Sequence, residues 1–323
     1  MVRLIPPCKI NPPRGFRRRG AAGTSPAGRL ARSAERWSAI VAVAITITAI
    51  PTCPAAEDAH PWRDRAEQSI DRAVFYKPDP ACASADVIGM SPLIVMARTS
   101  PSDGRSQRPP RLTSVRVANA KLVPGDDPPS VFVVTRDVDI RGVIVRQWTF
   151  VWWTLPGDGD DPVLTVLRMT LDPRNRPMTW EAVDPRRATV GVFIARSLEQ
   201  AAASTSGQGP RTRAPALQRG QPDPPIELAR VLADGPVPMG PMVYGDHRGA
   251  VYSVACRCMP SQVRHITGNV YYHLRQLDDL GEIDDRLALS GDVSFQHRFA
   301  QWRQPGWLDG ALRFPEVLDV DPQ

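Results

Sequence analysis

At 323 residues the chain is long enough for one large domain or two ordinary ones, and its apolar and charged fractions, 42% and 23%, are those of a soluble globular protein. Its 34 prolines argue for many turns and against an all-helical bundle. The net charge of +6 does not point to nucleic acid: residues 1–55 hold nine Arg and Lys against one acid, Glu35, which leaves 31 basic and 33 acidic side chains for the rest. A phosphate-binding groove needs cations clustered in the folded part, so no nucleic-acid partner is expected. Only Lys9, Lys77 and Lys121 of the 40 basic residues are lysines, a bias expected of a GC-rich bacterial genome.

Residues 1–55 have the pattern of a signal peptide with a long basic region. "RGFRRRG" and "RLARSAERW" precede the apolar run "SAIVAVAITITAI", residues 38–50, which Pro51 ends. That run is 13 residues, short of the roughly 20 that a membrane-spanning helix needs. Cys53 and Ala55 fit the small positions before a cleavage at Ala56. "IPTC" distantly resembles a lipoprotein box with Cys53 as the lipidated residue, although Pro51 and Thr52 suit it poorly. The expected product is exported to the periplasm, the cell surface or the medium, with no transmembrane span in the mature chain.

The next stretch, 56–205, is expected to hold a helix and an antiparallel sheet. In "RDRAEQSIDRAVFY", residues 63–76, Ala66, Ile70, Ala73 and Val74 recur at helical spacing, so a helix is predicted there, ended by "KPDP". A short apolar run, "LIVMA", follows at 93–97. Residues 113–184 read as β. "SVFVVTRDVDI" alternates, and "VIVRQWTFVWWTL" is apolar on both faces, as befits a central covered strand. "VLTVLRMTL", the turn "DPRNRP" and "MTWEAV" complete a meander. Two connections, "LVPGDDPP" and "LPGDGDDP", repeat the same turn chemistry, since Pro-Gly sets the bend and Asp bonds local backbone. The acids of the second, Asp158, Asp160 and Asp161, lack the spacing of a calcium loop. "TVGVFIA" reads as a strand and "ARSLEQAAAS" as a helix.

Residues 206–225 have the composition of a linker or flexible loop. The remaining 226–323 are expected to form a smaller C-terminal lobe, packed apart or into the same domain. There "AVYSVACRCM" reads as a strand, "NVYYHLRQL" fits strand or helix, and "FQHRFAQW" places Phe295, Phe299 and Trp302 on one helical face. The fold class that results is α+β: an antiparallel, Trp-rich sheet flanked by N- and C-terminal helices, with a smaller cysteine-containing lobe.

Common catalytic signatures are absent: no G-x-S-x-G, H-E-x-x-H, P-loop, G-x-G-x-x-G or C-x-x-C occurs. After cleavage three cysteines would remain, Cys82, Cys256 and Cys258, and an odd number in an oxidising compartment implies a disulfide with a leftover thiol, an intermolecular bridge or a metal. On a strand over 251–258, Tyr252, Val254, Cys256 and Cys258 share a face. Same-face neighbours stand about 6.5–7 Å apart, too far to bridge each other, so a disulfide would join Cys82 to Cys256 or Cys258. Core packing explains both cysteines without chemistry. Alternatively their thiolates hold copper or zinc, with Met259, His265, Met239 and Met242 as further soft or imidazole donors. Three functions are therefore carried forward. The first is a non-catalytic exported protein that binds a protein or small molecule or serves the envelope. The second is a soft-metal protein, and the third a hydrolase revealed by a His, an acid and a nucleophile in one cleft.

Overall fold

A computed structural model describes residues 73–97, 110–119, 121–157, 161–184, 189–205, 226–234, 239–246, 249–255 and 269–276, and, towards the C-terminus, 302, 304, 307–312, 314–315 and 318. The chain divides into two units, Met1–Ala56 and Glu57–Gln323, and every described residue belongs to the second. The signal-peptide and lipidation readings, Cys53 included, and the linker 206–225 lie outside the described residues.

The described structure is mostly β. Along the chain come β1 (Ala73–Pro78), α1 (Ala85–Met90), β2 (Leu93–Ala97), β3 (Arg111–Thr113), β4 (Val115–Ala118), β5 (Lys121–Pro124), β6 (Ser130–Ile140) and β7 (Val143–Leu155). Then follow β8 (Val163–Leu171), β9 (Pro177–Asp184), β10 (Thr189–Ala195), α2 (Arg196–Thr205), β11 (Ile226–Leu232), β12 (Met242–Gly245), β13 (Val251–Ala255), β14 (Asn269–Gln276) and α3 (Trp307–Ala311). Twelve strands form one sheet in the order β11-β10-β9-β8-β7-β6-β14-β1-β2-β12-β13, with β3 also on β7, while β4 and β5 pair as a separate ribbon.

This overturns the expected α+β class. The sheet is mixed, because β1–β14, β14–β6, β2–β12 and β10–β11 are parallel pairs. Among the described residues the helices are three and short. The helix predicted over 63–76 is wrong where it can be compared: residues 73–76 belong to β1, paired on both edges, and 63–72 lie outside the described residues. A Val-Phe-Tyr run between two partner strands buries both of its faces, which outweighs a helical spacing of alanines. Nor is there a separate cysteine-containing lobe among the described residues, since β11 to β14 all lie in the same sheet as β6 to β10. Of "FQHRFAQW" only Trp302 is described, helical and buried, and α3 begins five residues beyond it.

The meander β6–β9 forms the middle of the sheet, and its burial follows the strand periods. In β6 and β7 one half is buried on both faces, while Thr135, Asp137, Asp139, Ile144 and Arg146 are exposed at the other end. Arg141 and Gly142 both take positive φ, 54° and 81°, which makes the two-residue turn whose twist suits a hairpin. Asp139 accepts from the Gly142 N–H at 2.7 Å and closes it. In "DPRNRP" the Asp172 carboxylate accepts from the N–H groups of Arg174 and Arg176, at 2.9 and 2.7 Å.

The sheet curls into a half-barrel. By register, the inner face carries Val131, Val133, Phe150, Trp152, Leu167, Met169 and Trp180, together with Tyr272, Tyr76, Ile94, Val243 and Val254 from the other end. All of these are buried in one core. The turn between β12 and β13 seals it: Thr165 Oγ1 on β8 donates to the Gly249 carbonyl at 3.0 Å. Gly249 has φ +82° and a Cβ there would lie 2.7 Å from Thr154 Cβ, so only glycine fits. Gly240 is similarly required, since a Cβ there would lie 2.1 Å from the Met90 carbonyl oxygen at the end of α1.

Opposite, the outer face of β8 and β9 carries Arg168 and Glu181, cross-strand partners 1% and 0% exposed. Arg168 Nε donates to Glu181 Oε1 at 3.0 Å, and its Nη2 pairs with Oε2. Trp302 closes over them. Trp302 Nε1 donates to Glu181 Oε2 at 2.9 Å, the Trp302 carbonyl accepts from Arg168 Nη1 at 2.8 Å, and the guanidinium lies 4.0 Å from the Trp302 ring centroid. Leu308, Leu312, Phe314 and Leu318 are buried in the same core.

Candidate metal centre

The sequence "PDPAC", residues 78–82, ends β1. Pro78 closes the strand, and Asp79-Pro80-Ala81-Cys82 is a β-turn with the residues such turns favour, Asp first and Pro second. The Cys82 N–H donates to the Asp79 carbonyl at 3.0 Å, and the Ala81 N–H to Asp79 Oδ1 at 2.9 Å. The turn thus holds one carboxylate oxygen and leaves Oδ2 to face elsewhere. The Asp79 N–H donates to the Tyr272 carbonyl at 2.9 Å, which extends the β1–β14 register by one residue and sets Asp79 next to His273. On the other side, the His273 N–H donates to the Pro129 carbonyl at 2.8 Å, at the entry to β6.

Three donor side chains meet as a result. His273 Nε2 lies 3.8 Å from Asp79 Oδ2. One ligand atom each from Asp79, Cys82 and His273 fall within 4.8 Å of one another. All three residues are half-buried, with the His273 and Asp79 side chains 38% and 30% exposed. About a central zinc, bonds of about 2.0–2.3 Å require donor atoms some 3.3–3.7 Å apart. His273 Nε2 and Asp79 Oδ2 are close to that spacing, and among the described residues no fourth His, Cys, Asp or Glu joins the group.

The arrangement also bears on hydrolysis. A thiol, an imidazole and an acid are the parts of a nucleophilic relay, but a relay engages opposite ring nitrogens, the nucleophile on one and the acid on the other. Here His273 faces Asp79 through Nε2, and one ligand atom of each of the three residues lies within 4.8 Å of the others. The sealed Arg168–Glu181 pair is no alternative, because Trp302 and the strand faces leave it no access to a substrate.

Of the residues singled out in the sequence for metal, Cys256, Cys258, Met259 and His265 lie outside the described residues, and so does any bridge from Cys82 to Cys256 or Cys258. Met239 is buried. Met242 is half-buried on β12, where its sulfur accepts from the Tyr244 hydroxyl at 2.9 Å. Tyr252 and Val254 do not share a face as expected. The β12–β13 register shifts at Tyr244 and Gly245, so Val254 joins the inner core while Tyr252 packs with Phe75, Val95 and Tyr244. One inserted residue turns the following side chains to the other side. Asp79 and His273 were missed as partners of Cys82. The signal that was available is "DPAC", a turn that brings a carboxylate and a thiol together at a strand end.

No protein-family model matches the chain, and no curated protein and no solved structure matches it. Among the described residues no helix is long and apolar enough to cross a membrane.

Proposed function

We propose that this is an exported, non-catalytic binding protein of the cell envelope that holds zinc through Asp79, Cys82 and His273. The observation that carries the metal reading is the convergence of the three donor atoms within 4.8 Å. A mixed carboxylate, thiolate and imidazole set suits a borderline cation such as zinc, whereas copper(I) favours thiolates and thioethers. The basic, then apolar, then small-residue leader supports export.

The test uses the full chain, reduced, loaded with zinc and desalted. Retention of about one equivalent by the parent, lost in Cys82→Ser and in His273→Ala but kept in a Cys256→Ser/Cys258→Ser variant, supports the site. Loss only in the second variant moves the metal to Cys256 and Cys258, and no retained zinc in the parent ends the metal reading. Export is tested separately: the intact mass of protein recovered from the envelope fraction should begin at Ala56.

A further inference from the structure

We infer that the buried Arg168–Glu181 pair is a selector: it recognises Trp302 as a tryptophan residue, and so fixes which position of the C-terminal chain docks on the outer face of the sheet. Adhesion alone does not account for the pair. On β8 and β9 the next cross-strand pair of the same face is Val166 and Val183, 1% and 9% exposed, so plain apolar contact covers this face elsewhere. A charged pair at the same depth loses in desolvation most of what its attraction returns. What it adds is discrimination, because a buried polar site rejects a group that would leave it unpaired.

Three separate features of Trp302 are read. The Arg168 guanidinium lies 4.0 Å from the ring centroid, which reads an aromatic face. Glu181 Oε2 accepts from the indole Nε1 at 2.9 Å, which reads an edge donor that Phe and Leu lack. Arg168 Nη1 donates to the Trp302 carbonyl at 2.8 Å, which ties the ring to one backbone position. Arg168 Nε donates to Glu181 Oε1 at 3.0 Å and Nη2 pairs with Oε2, so the fork and the carboxylate hold each other in place.

A competing tryptophan lies five residues on. The same guanidinium is 5.6 Å from the Trp307 ring centroid, within cation–π range. Stacking on Arg168 therefore does not by itself separate the two rings. Trp302 is 1% exposed and holds the nearer ring position and the bond to Glu181, while Trp307 is partly buried against the core. The carboxylate oxygen makes the choice, and Arg168 positions it.

The experiment is a double-mutant cycle on the full chain, read by denaturant unfolding, with the tryptophans labelled as 5-fluorotryptophan for fluorine NMR. Trp302→Phe keeps a ring and removes the N–H. It should lower the folding equilibrium constant of the parent by about tenfold or more, as expected for a buried bond to a charged acceptor. In Arg168→Met with Glu181→Leu the same change should cost about threefold less or better, while Trp307→Phe should cost the same in both backgrounds. The Trp302 fluorine signal, assigned by its loss in Trp302→Phe, should be single in the parent and split or exchange-broadened in the double variant. If the double variant does not fold, Glu181→Gln takes its place. It removes only the charge and should reduce the cost of Trp302→Phe to about threefold, because a bond to a neutral acceptor is roughly half as strong.

An equal cost of Trp302→Phe in the parent and in the background without the charge overturns the inference, and so does a single sharp Trp302 signal in the double variant. The pair would then be adhesive only, and Trp302 would dock by its apolar area.

Discussion

Two polar clusters on the same outer face of the sheet differ in almost every respect. Arg168 and Glu181 lie in the middle of strands, sealed under Trp302, with the carboxylate and guanidinium each bonded to more than one partner. Asp79, Cys82 and His273 lie where a parallel pair of strands ends in a turn, half-exposed, with Asp79 Oδ2 and His273 Nε2 at 3.8 Å. A charge deep in a sheet must be satisfied internally, so such a cluster becomes part of the architecture. A cluster at a strand end keeps water access, and that is what a ligand needs. An acid beside a base is therefore a poor pointer to function until its remaining partners have been counted.

The largest effect expected from breaking this contrast is at the sealed cluster. Glu181→Ala leaves Arg168 buried without its partner and should cost about 3–5 kcal/mol of folding stability, read by denaturant unfolding. The paired change Arg168→Met with Glu181→Leu should recover most of that loss, because desolvation largely offsets the attraction in a buried pair. Recovery by the double variant no better than the single would show that Trp302 docking depends on the charges themselves.

Next comes the open cluster, where stability and binding should separate. Cys82→Ser should lower zinc affinity by about a hundredfold or more, while metal-free stability moves by less than about 1 kcal/mol, as for other half-exposed positions. A large loss of metal-free stability would place Cys82 with the architectural cluster instead.

A backbone test is smaller but specific. Gly249→Ala places a methyl group against Thr154 at positive φ, and should cost about 1–3 kcal/mol, detectable as a lowered melting temperature. Smallest of all is the surface pair of Arg146 and Asp137, with side chains 52% and 54% exposed. Asp137→Asn should change stability by no more than about 0.5 kcal/mol in the same assay.

Much of the β-structure was legible because its cause is local. The alternation of β6, the doubly apolar second half of β7 and the "DPRNRP" turn each depend on a few neighbouring residues, and each is where the pattern places it. The failures share a different cause. Ala73–Tyr76 carry a weak helical spacing, and only pairing with strands from residues 93–97 and 269–276 makes them β. Tyr252 and Val254 obey the strand period until a bulge, specified by the partner strand, separates them. Cys82 drew attention to Cys256 and Cys258 because cysteines are easy to match in a sequence, whereas a histidine 191 positions away in the chain is not.

The amino-acid sequence alone therefore determined the local propensities: a basic and then apolar N-terminal stretch, strands rich in β-branched and aromatic residues, and turns built on Pro, Gly and Asp. The tertiary structure alone decided that the sheet is mixed, that its far end folds back over β7 and β8, and that β14 lies beside β1. Parallel pairing joins strands that no short turn connects, so no local pattern marks the partner. The adjacency of Asp79 and Cys82 is written in one turn, but their meeting with His273 depends on that non-local pairing.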